Sequence, residues 1–256
     1  MTKASPFVLD EITLNRQLQY LRLQYIHEHY AAMALESAQR HEPVQQYLAR
    51  MIDGEYLRAQ DRRAARRIKE ARLPLIKSMD DFQWSFPRSI DRELVLDLFR
   101  LKFIEHKQNV ILLGGVGVGK THISLALGHE ACLAGHSVLF TTAIDIVNTL
   151  VAAQNAGRFK YELRKYIRPG LLIIDELGYL PIDKFAADIL FQVISQRYEQ
   201  GSILLTTNKP FKNWAELFGN DSTLASAVLD RLLHHSQTIL IDGQSFRMKD
   251  RMHKPA

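Results

Sequence analysis

Apolar positions in the first third of the chain recur at three- and four-residue spacing. Leu14, Leu18, Leu21 and Tyr25 follow this period, as do Val44, Tyr47, Leu48 and Met51, and it is the signature of one helix face. Between Glu55 and Arg72 the apolar positions thin to Leu57, Ala64, Ile68 and Ala71. Pro74 ends this helix, because proline lacks the N–H donor and its ring clashes with the preceding turn. Residues 74–89, which include Phe82, Trp84, Phe86 and Pro87, read as an ordered linker anchored by its aromatic groups. From about residue 90 the pattern changes. A helix over 91–103 leads to an apolar strand at 109–113, a glycine-rich turn and a helix through Ala134. Short apolar strands follow at 137–141, 171–175, 203–207 and 238–241, separated by helical stretches. Strands alternating with helices predict an α/β domain whose parallel sheet is covered on both faces. The expected organisation is a small all-helical domain over 1–75, a linker over 76–90 and the α/β domain over 91–256.

The glycine-rich turn carries the first candidate chemistry. Gly114, Gly115, Val116, Gly117, Val118, Gly119, Lys120 and Thr121 fit G-x-x-x-x-G-K-[ST], preceded by a strand and followed by a helix. A loop wrapped around a triphosphate turns its backbone N–H groups inward, which calls for residues without Cβ conflict. Lys120 is the expected partner of the β- and γ-phosphates and Thr121 of Mg²⁺, with the helix N-terminus adding positive potential. A chance glycine turn is the alternative, and the flanking strand and helix argue against it.

Two further strand ends supply the other parts of an NTPase. Leu171–Ile174 runs into Asp175 and Glu176, with Asp175 expected to orient Mg²⁺ and Glu176 to polarise the attacking water. A helix-capping acid would explain one of these residues but not the pair. The strand ending at Thr207 is followed by Asn208, expected to help hold the lytic water, although asparagine there also suits a turn. Asn208-Lys209-Pro210-Phe211 begins like the guanine-reading N-K-x-D, but Phe211 cannot accept guanine N–H bonds, so ATP is favoured over GTP.

Composition narrows the setting. The chain has 256 residues, 46% apolar and 24% charged, which excludes wholesale disorder. A single cysteine, Cys132, excludes an internal disulfide, and no apolar run reaches the ~18 residues of a membrane span. A soluble cytoplasmic protein without membrane contact is expected. Of the net charge of +5, +4 falls in residues 1–77. Arg62, Arg63, Arg66, Arg67, Lys69 and Arg72 place six cations within three helical turns, partly balanced by Asp61 and Glu70. They read either as a solvated face or as contacts to a DNA backbone. Six phosphate contacts would give a slope of log K against log[salt] of roughly −5. Such contacts position a protein without reading bases. His122, His129 and His136, at seven-residue spacing, fit packing or surface placement better than a metal site, and Cys132 has no zinc-type partner spacing.

Together these segments resemble the AAA+ ATPases, and within them the DnaC/IstB branch. The match is closer to the IstB-type helper ATPases of bacterial insertion sequences. The supporting stretches are GKTHISLALGHEAC (119–132), LLIIDELGYLPID (171–183), LFQVISQRYEQGSILLTTN (190–208), VLDRLLHH (228–235) and GQSFRMK (243–249). The resemblance implies an ATP-dependent homo-oligomer on duplex DNA that prepares target DNA and recruits a separate transposase. ATP hydrolysis would then control disassembly. It also tips the basic run towards DNA, and it implies that Arg231 reaches the ATP site of a neighbouring subunit. Arg247 is a weaker candidate for a nucleotide-sensing arginine, because the nine residues after it leave no room for a C-terminal lid domain. No separate acidic triad for DNA strand transfer is visible. The alternative within the branch is a replicative helicase loader, whose N-terminal helices would present an apolar or mixed docking face. A small-molecule kinase would need an acceptor pocket and a lid, and the sequence shows neither.

Overall fold

The computed structural model describes residues 10–178 and 183–246. The chain divides into two compact units between Ala65 and Arg66.

The N-terminal unit contains α1 (Glu11–Tyr20), α2 (Gln24–Gln39) and the greater part of α3 (Val44–Ala71). Asp10 caps α1 by accepting from the Thr13 N–H at 2.7 Å. The predicted apolar run from Leu14 to Tyr25 is broken at Leu21–Leu23, where Arg22 takes φ 58° and the chain turns into α2. No side chain of its own caps α2. Glu55 of α3, buried at 7% exposure, instead accepts from the Tyr25 and Ile26 N–H groups at 2.7 and 3.3 Å. A carboxylate at a helix N-terminus meets both the open donors and the positive end of the dipole. Leu18 and Met51 are buried, whereas Val44, Leu48, Ile52 and Tyr56 leave an exposed apolar stripe at four-residue spacing along α3.

In the second unit, α4 (Arg92–Leu98) and α5 (Lys102–Glu105) replace the single helix expected over 91–103. Leu98, Leu101, Phe103 and Ile104 are all buried. At 100° per residue a continuous helix would point positions 101 and 103 to opposite sides. Leu101 resolves the conflict with a left-handed turn at φ 57°.

The remaining elements are β1 (Asn109–Gly114), α6 (Lys120–Leu133), β2 (Val138–Thr142), α7 (Ala143–Asn155), α8 (Phe159–Ile167), β3 (Leu171–Leu177), α9 (Lys184–Arg197), β4 (Ser202–Thr207), α10 (Trp214–Leu217), α11 (Ser222–Leu233) and β5 (Ser236–Ile241). They form a five-stranded parallel sheet in the order β2-β3-β4-β1-β5. One apolar layer packs α7, α8, α9 and α11 on one face of the sheet, centred on Leu172, Ile174, Leu205 and Trp214. The other face holds α6 with Val110, Leu112, Ile173 and Leu204, and Ala71, Phe82 and Val95 join it. The predicted doubly covered α/β sheet is therefore present.

Arg197, the last residue of α9, is 1% exposed. Its two terminal nitrogens donate to five carbonyls, those of Tyr166, Ile167, Pro169, Gly170 and Ser202, at 2.7–3.2 Å. Burial pulls this guanidinium down to about 10. One side chain thus ties the end of α8 to the entries of β3 and β4.

Candidate nucleotide site

The sheet order places β4 between β1 and β3. The loop after β1, the acids of β3 and the end of β4 therefore share one edge, at the carboxyl ends of parallel strands, where ligands bind in open α/β sheets.

The loop after β1 bends through Gly117 at φ 75° and Gly119 at φ 104°. A Cβ at Gly117 would strike the Ser245 hydroxyl, and one at Gly119 would lie 2.6 Å from the Phe82 ring. Both positions therefore require glycine for conformation and for space. The Phe246 N–H donates to the Gly117 carbonyl at 2.9 Å, so the segment after β5 holds this loop from outside. Lys120 opens α6, and its ammonium donates to the Gly114 and Gly115 carbonyls at 2.8 and 2.6 Å. Thr121 follows it, and its hydroxyl lies 3.2 and 3.1 Å from the two oxygens of Asp175.

The acidic pair sits where β3 departs from regular pairing with β4, between Ile174 and Leu177. Asp175 is buried, and Glu176 is exposed with φ 63°. This irregularity directs two adjacent acids into different environments. Thr206 of β4 joins them: its hydroxyl donates to Asp175 Oδ1 at 2.5 Å and accepts from the Glu176 N–H at 2.9 Å. Asn208 follows β4 directly, and its Oδ1 is buried without a hydrogen-bond partner among the described residues. A Cβ on Gly178 would lie 3.4 Å from that oxygen, which places the carboxamide beside the chain leaving β3.

A cavity of about 270 Å³ opens beside the loop, lined by Gly117 to His122, Glu176 and Thr206. Phe82, Phe86 and Phe246 form its aromatic wall, with Phe86 and Phe246 edge to face at 4.8 Å. His122 Nε2 lies 2.8 Å from the Ser78 carbonyl, tying the linker to α6. These features suit a nucleoside triphosphate with Mg²⁺. Gly114, Gly117 and Gly119 leave no room for Cβ atoms, Thr121 and Asp175 offer hard oxygen ligands, and Asn208 has an unspent buried acceptor.

Arg231, near the end of α11, is not among the residues that line the cavity beside the loop. Its Nη1 donates to the Ala227 carbonyl at 2.9 Å and its guanidinium lies 4.9 Å from the Phe191 ring centroid. The structure thus shows no ion pair of Arg231 with Asp230 among the described residues. Arg247 and the basic tail after it lie outside the described residues.

The six cations of the basic run are in unequal states. Arg62 pairs with Glu55 at 3.4 Å and Arg66 with Glu70 at 2.8 Å. Arg67 donates through Nε to the Cys132 carbonyl at 2.7 Å, near the end of α6 where the dipole favours a cation. Arg63, Lys69 and Arg72 are exposed and make no ion pair among the described residues. Cys132 itself is fully buried, and burial pushes its thiol up to about 11, against the opposing charge of Arg67. That environment suits packing and not reactivity.

Three features of the site carry little signal in the sequence alone. Thr206 is a buried hydroxyl at the end of an aliphatic strand, and this polarity was the signal. Phe246 joins Phe82 and Phe86 only through the fold. The third is α8 and its flanks, where Arg158, Lys160, Arg164, Lys165 and Arg168 are all exposed and put five cations within eleven residues. Arg164 and Arg168 line a groove of about 1160 Å³ together with Arg72, Thr121, Asp175 and Glu176. Among the described residues no helix is long and apolar enough to cross a membrane.

Comparison with known proteins agrees with this geometry. The family described as IstB-like ATP binding protein matches residues 16–254. The insertion sequence IS21 ATP-binding protein of Pseudomonas aeruginosa is 39% identical over 94% of this chain and 89% of its own length. The IS5376 ATP-binding protein of Geobacillus stearothermophilus is 40% identical over 90% and 92%. Among solved structures, AMPPCP-bound DnaA from Aquifex aeolicus superposes with a TM-score of 0.56 at 21% identity, over 70% of this chain and 54% of that one. The DnaC helicase loader gives 0.52 at 18% identity, over 64% and 96%. These two likenesses show the AAA+ fold. With the phosphate-binding loop, the acid pair and the sheet order in place, the chain belongs to the IstB-like ATP-binding proteins of insertion sequences.

Proposed function

We propose that this protein is an ATPase that assembles on duplex DNA with ATP, prepares the DNA for insertion and recruits the transposase, and that hydrolysis releases the assembly. The observation that carries the ATPase reading is the hydrogen-bonded chain Thr121–Asp175–Thr206–Glu176 beside the glycine loop. The insertion-sequence relatives support the role in transposition.

In this reading the backbone of residues 114–119 and the Lys120 ammonium hold the triphosphate, with Lys120 exchanging its loop carbonyls for phosphate oxygens. Thr121 and Asp175 hold Mg²⁺, which when bound supplies positive charge to the transferred phosphoryl group. Glu176, exposed and fixed through its own N–H by Thr206, takes the proton of the attacking water. Asn208 orients that water with its unspent oxygen. Arg231 turns off Phe191 to reach the site of an adjacent subunit, adding positive charge where negative charge develops. Arg247 keeps its proposed role in sensing nucleotide. Sedimentation of the protein with duplex DNA is expected to require ATP and to fail with ADP. Arg231→Ala is expected to lose both assembly and DNA-stimulated turnover. An Arg231→Ala protein that assembles and hydrolyses normally overturns the contact between subunits.

DNA contact in this reading divides between two basic surfaces, the 62–72 run and α8. Arg62, Arg66 and Arg67 already have internal partners, so Arg63, Lys69, Arg72, Arg164 and Arg168 contribute most. The double change Arg164→Ala/Arg168→Ala is expected to flatten the salt slope of DNA binding by about 2, at ~0.9 per released phosphate. Titrations at several salt concentrations measure it, and an unchanged slope removes α8 from the interface.

One observation favours a second reading. The exposed stripe Val44, Leu48, Ile52 and Tyr56 would suit the apolar docking face that a helicase loader needs. Capture of the replicative helicase, and not of the transposase, by the full chain would establish that reading.

A further inference from the structure

Outside the nucleotide site, the ends of α9 and α11 converge on a second cluster of ligating side chains. Glu199, His234 and His235 each offer one ligand atom, and these atoms all lie within 4.8 Å of one another on the exposed surface. We propose that this trio binds a divalent transition-metal ion of the zinc class, independently of the Mg²⁺ of the nucleotide site.

Four features carry the inference. Two imidazole nitrogens and one carboxylate oxygen form a borderline donor set that suits Zn²⁺, Co²⁺ and Ni²⁺ better than Mg²⁺. The trio lies where two helices end. Glu199 is two residues beyond α9, and His234 caps α11 with His235 next in the chain. The carboxyl ends of both helices favour a cation there, and of the charged neighbours on α11 Asp230 adds negative charge while Arg231 opposes it. One imidazole is already oriented, since His234 Nδ1 lies 2.7 Å from the Tyr198 hydroxyl. In the tautomer whose Nδ1–H donates to that hydroxyl, Nε2 is the nitrogen free to ligate, an arrangement usual for metal-bound histidine. Finally, the His234 and His235 rings stand only 4.1 Å apart between centroids, so two ligands come from one short stretch of chain. Ligand atoms around tetrahedral zinc are roughly 3.3 Å apart, a distance these exposed side chains reach by rotamer adjustment. Three protein ligands leave a further position for water. A bound ion would tie the end of α9 to the end of α11, the helix that carries Arg231.

The test is a titration of the full chain with Co²⁺ in the absence of nucleotide, followed by visible absorption, with Zn²⁺ as competitor. One equivalent of Co²⁺ is expected to produce a visible band that Zn²⁺ abolishes. Glu199→Ala and His235→Ala, which change exposed side chains, are each expected to weaken binding at least tenfold. Tyr198→Phe, which removes only the outer-shell hydroxyl, is expected to weaken it about tenfold. Circular dichroism and ATP binding identify which variants retain the fold. Absence of a stoichiometric band in the unaltered protein overturns the proposal. So does Co²⁺ binding that persists unweakened in folded Glu199→Ala or His235→Ala.

Discussion

Glu176→Gln is expected to lower ATP turnover about 10³-fold, the scale on which a positioned general base acts, while ATP binding is retained. Glutamine keeps the size of the side chain but cannot take a proton from water. The substitution leaves the backbone N–H of residue 176 available to Thr206 Oγ1, so the irregularity in β3 is kept. Asp175, the residue proposed for Mg²⁺, also keeps its bonds to Thr121 and Thr206. Binding and chemistry therefore separate in this variant. Steady-state phosphate release measures one, and equilibrium titration with a fluorescent ATP analogue measures the other. The ATP-bound assembly on DNA should persist for correspondingly longer. Turnover within threefold of the unaltered protein would show that Glu176 is not the base.

Arg197→Ala is expected to destabilise the protein by about 3–5 kcal/mol, the range for breaking a buried network. The guanidinium is 1% exposed and satisfies five carbonyls, and no single replacement can serve them all. Alanine leaves a void and strands acceptors whose desolvation costs about 1–3 kcal/mol each where no other donor or water reaches them. Loss of the buried charge offsets part of this, because burial already opposes ionisation of Arg197. Lysine keeps a charge but replaces the planar fork with a single ammonium, so Arg197→Lys should recover only a minority of the loss. At about 2–4 °C per kcal/mol for a domain of this size, the thermal midpoint should fall by roughly 10 °C in the alanine variant. A midpoint within 2 °C of the unaltered protein would show that the carbonyls find other partners.

The candidate site was legible in the sequence to the extent that its parts are contiguous. Gly114 to Thr121 encode the loop because the needed conformations at Gly117 and Gly119 belong to single residues. Asp175 and Glu176 were readable as a pair, but their different environments were not. The separation arises from the register shift against β4 and from the left-handed backbone at Glu176. The basic run was visible as six charges. Its partition into engaged and exposed members depends on Glu55, Glu70 and the Cys132 carbonyl, the last 65 residues away from Arg67. The cations of α8 were equally visible in the chain, and what gives them weight is their place in one groove with Thr121, Asp175 and Arg72.

The helix over 91–103 shows the opposite failure. Its apolar spacing admitted a helix, and the burial of Leu98, Leu101, Phe103 and Ile104 together forced a turn at Leu101. Residues adjacent along the chain thus determined the phosphate loop, the alternation of strands and helices and the density of positive charge, because each depends on local backbone freedom or side-chain type. Only the tertiary structure decided that β4 stands between β1 and β3. That order places Thr206 between two acids and Asn208 beside the end of β3. Strand order is a competition among distant apolar surfaces for the same core, and local spacing carries no record of which surface wins.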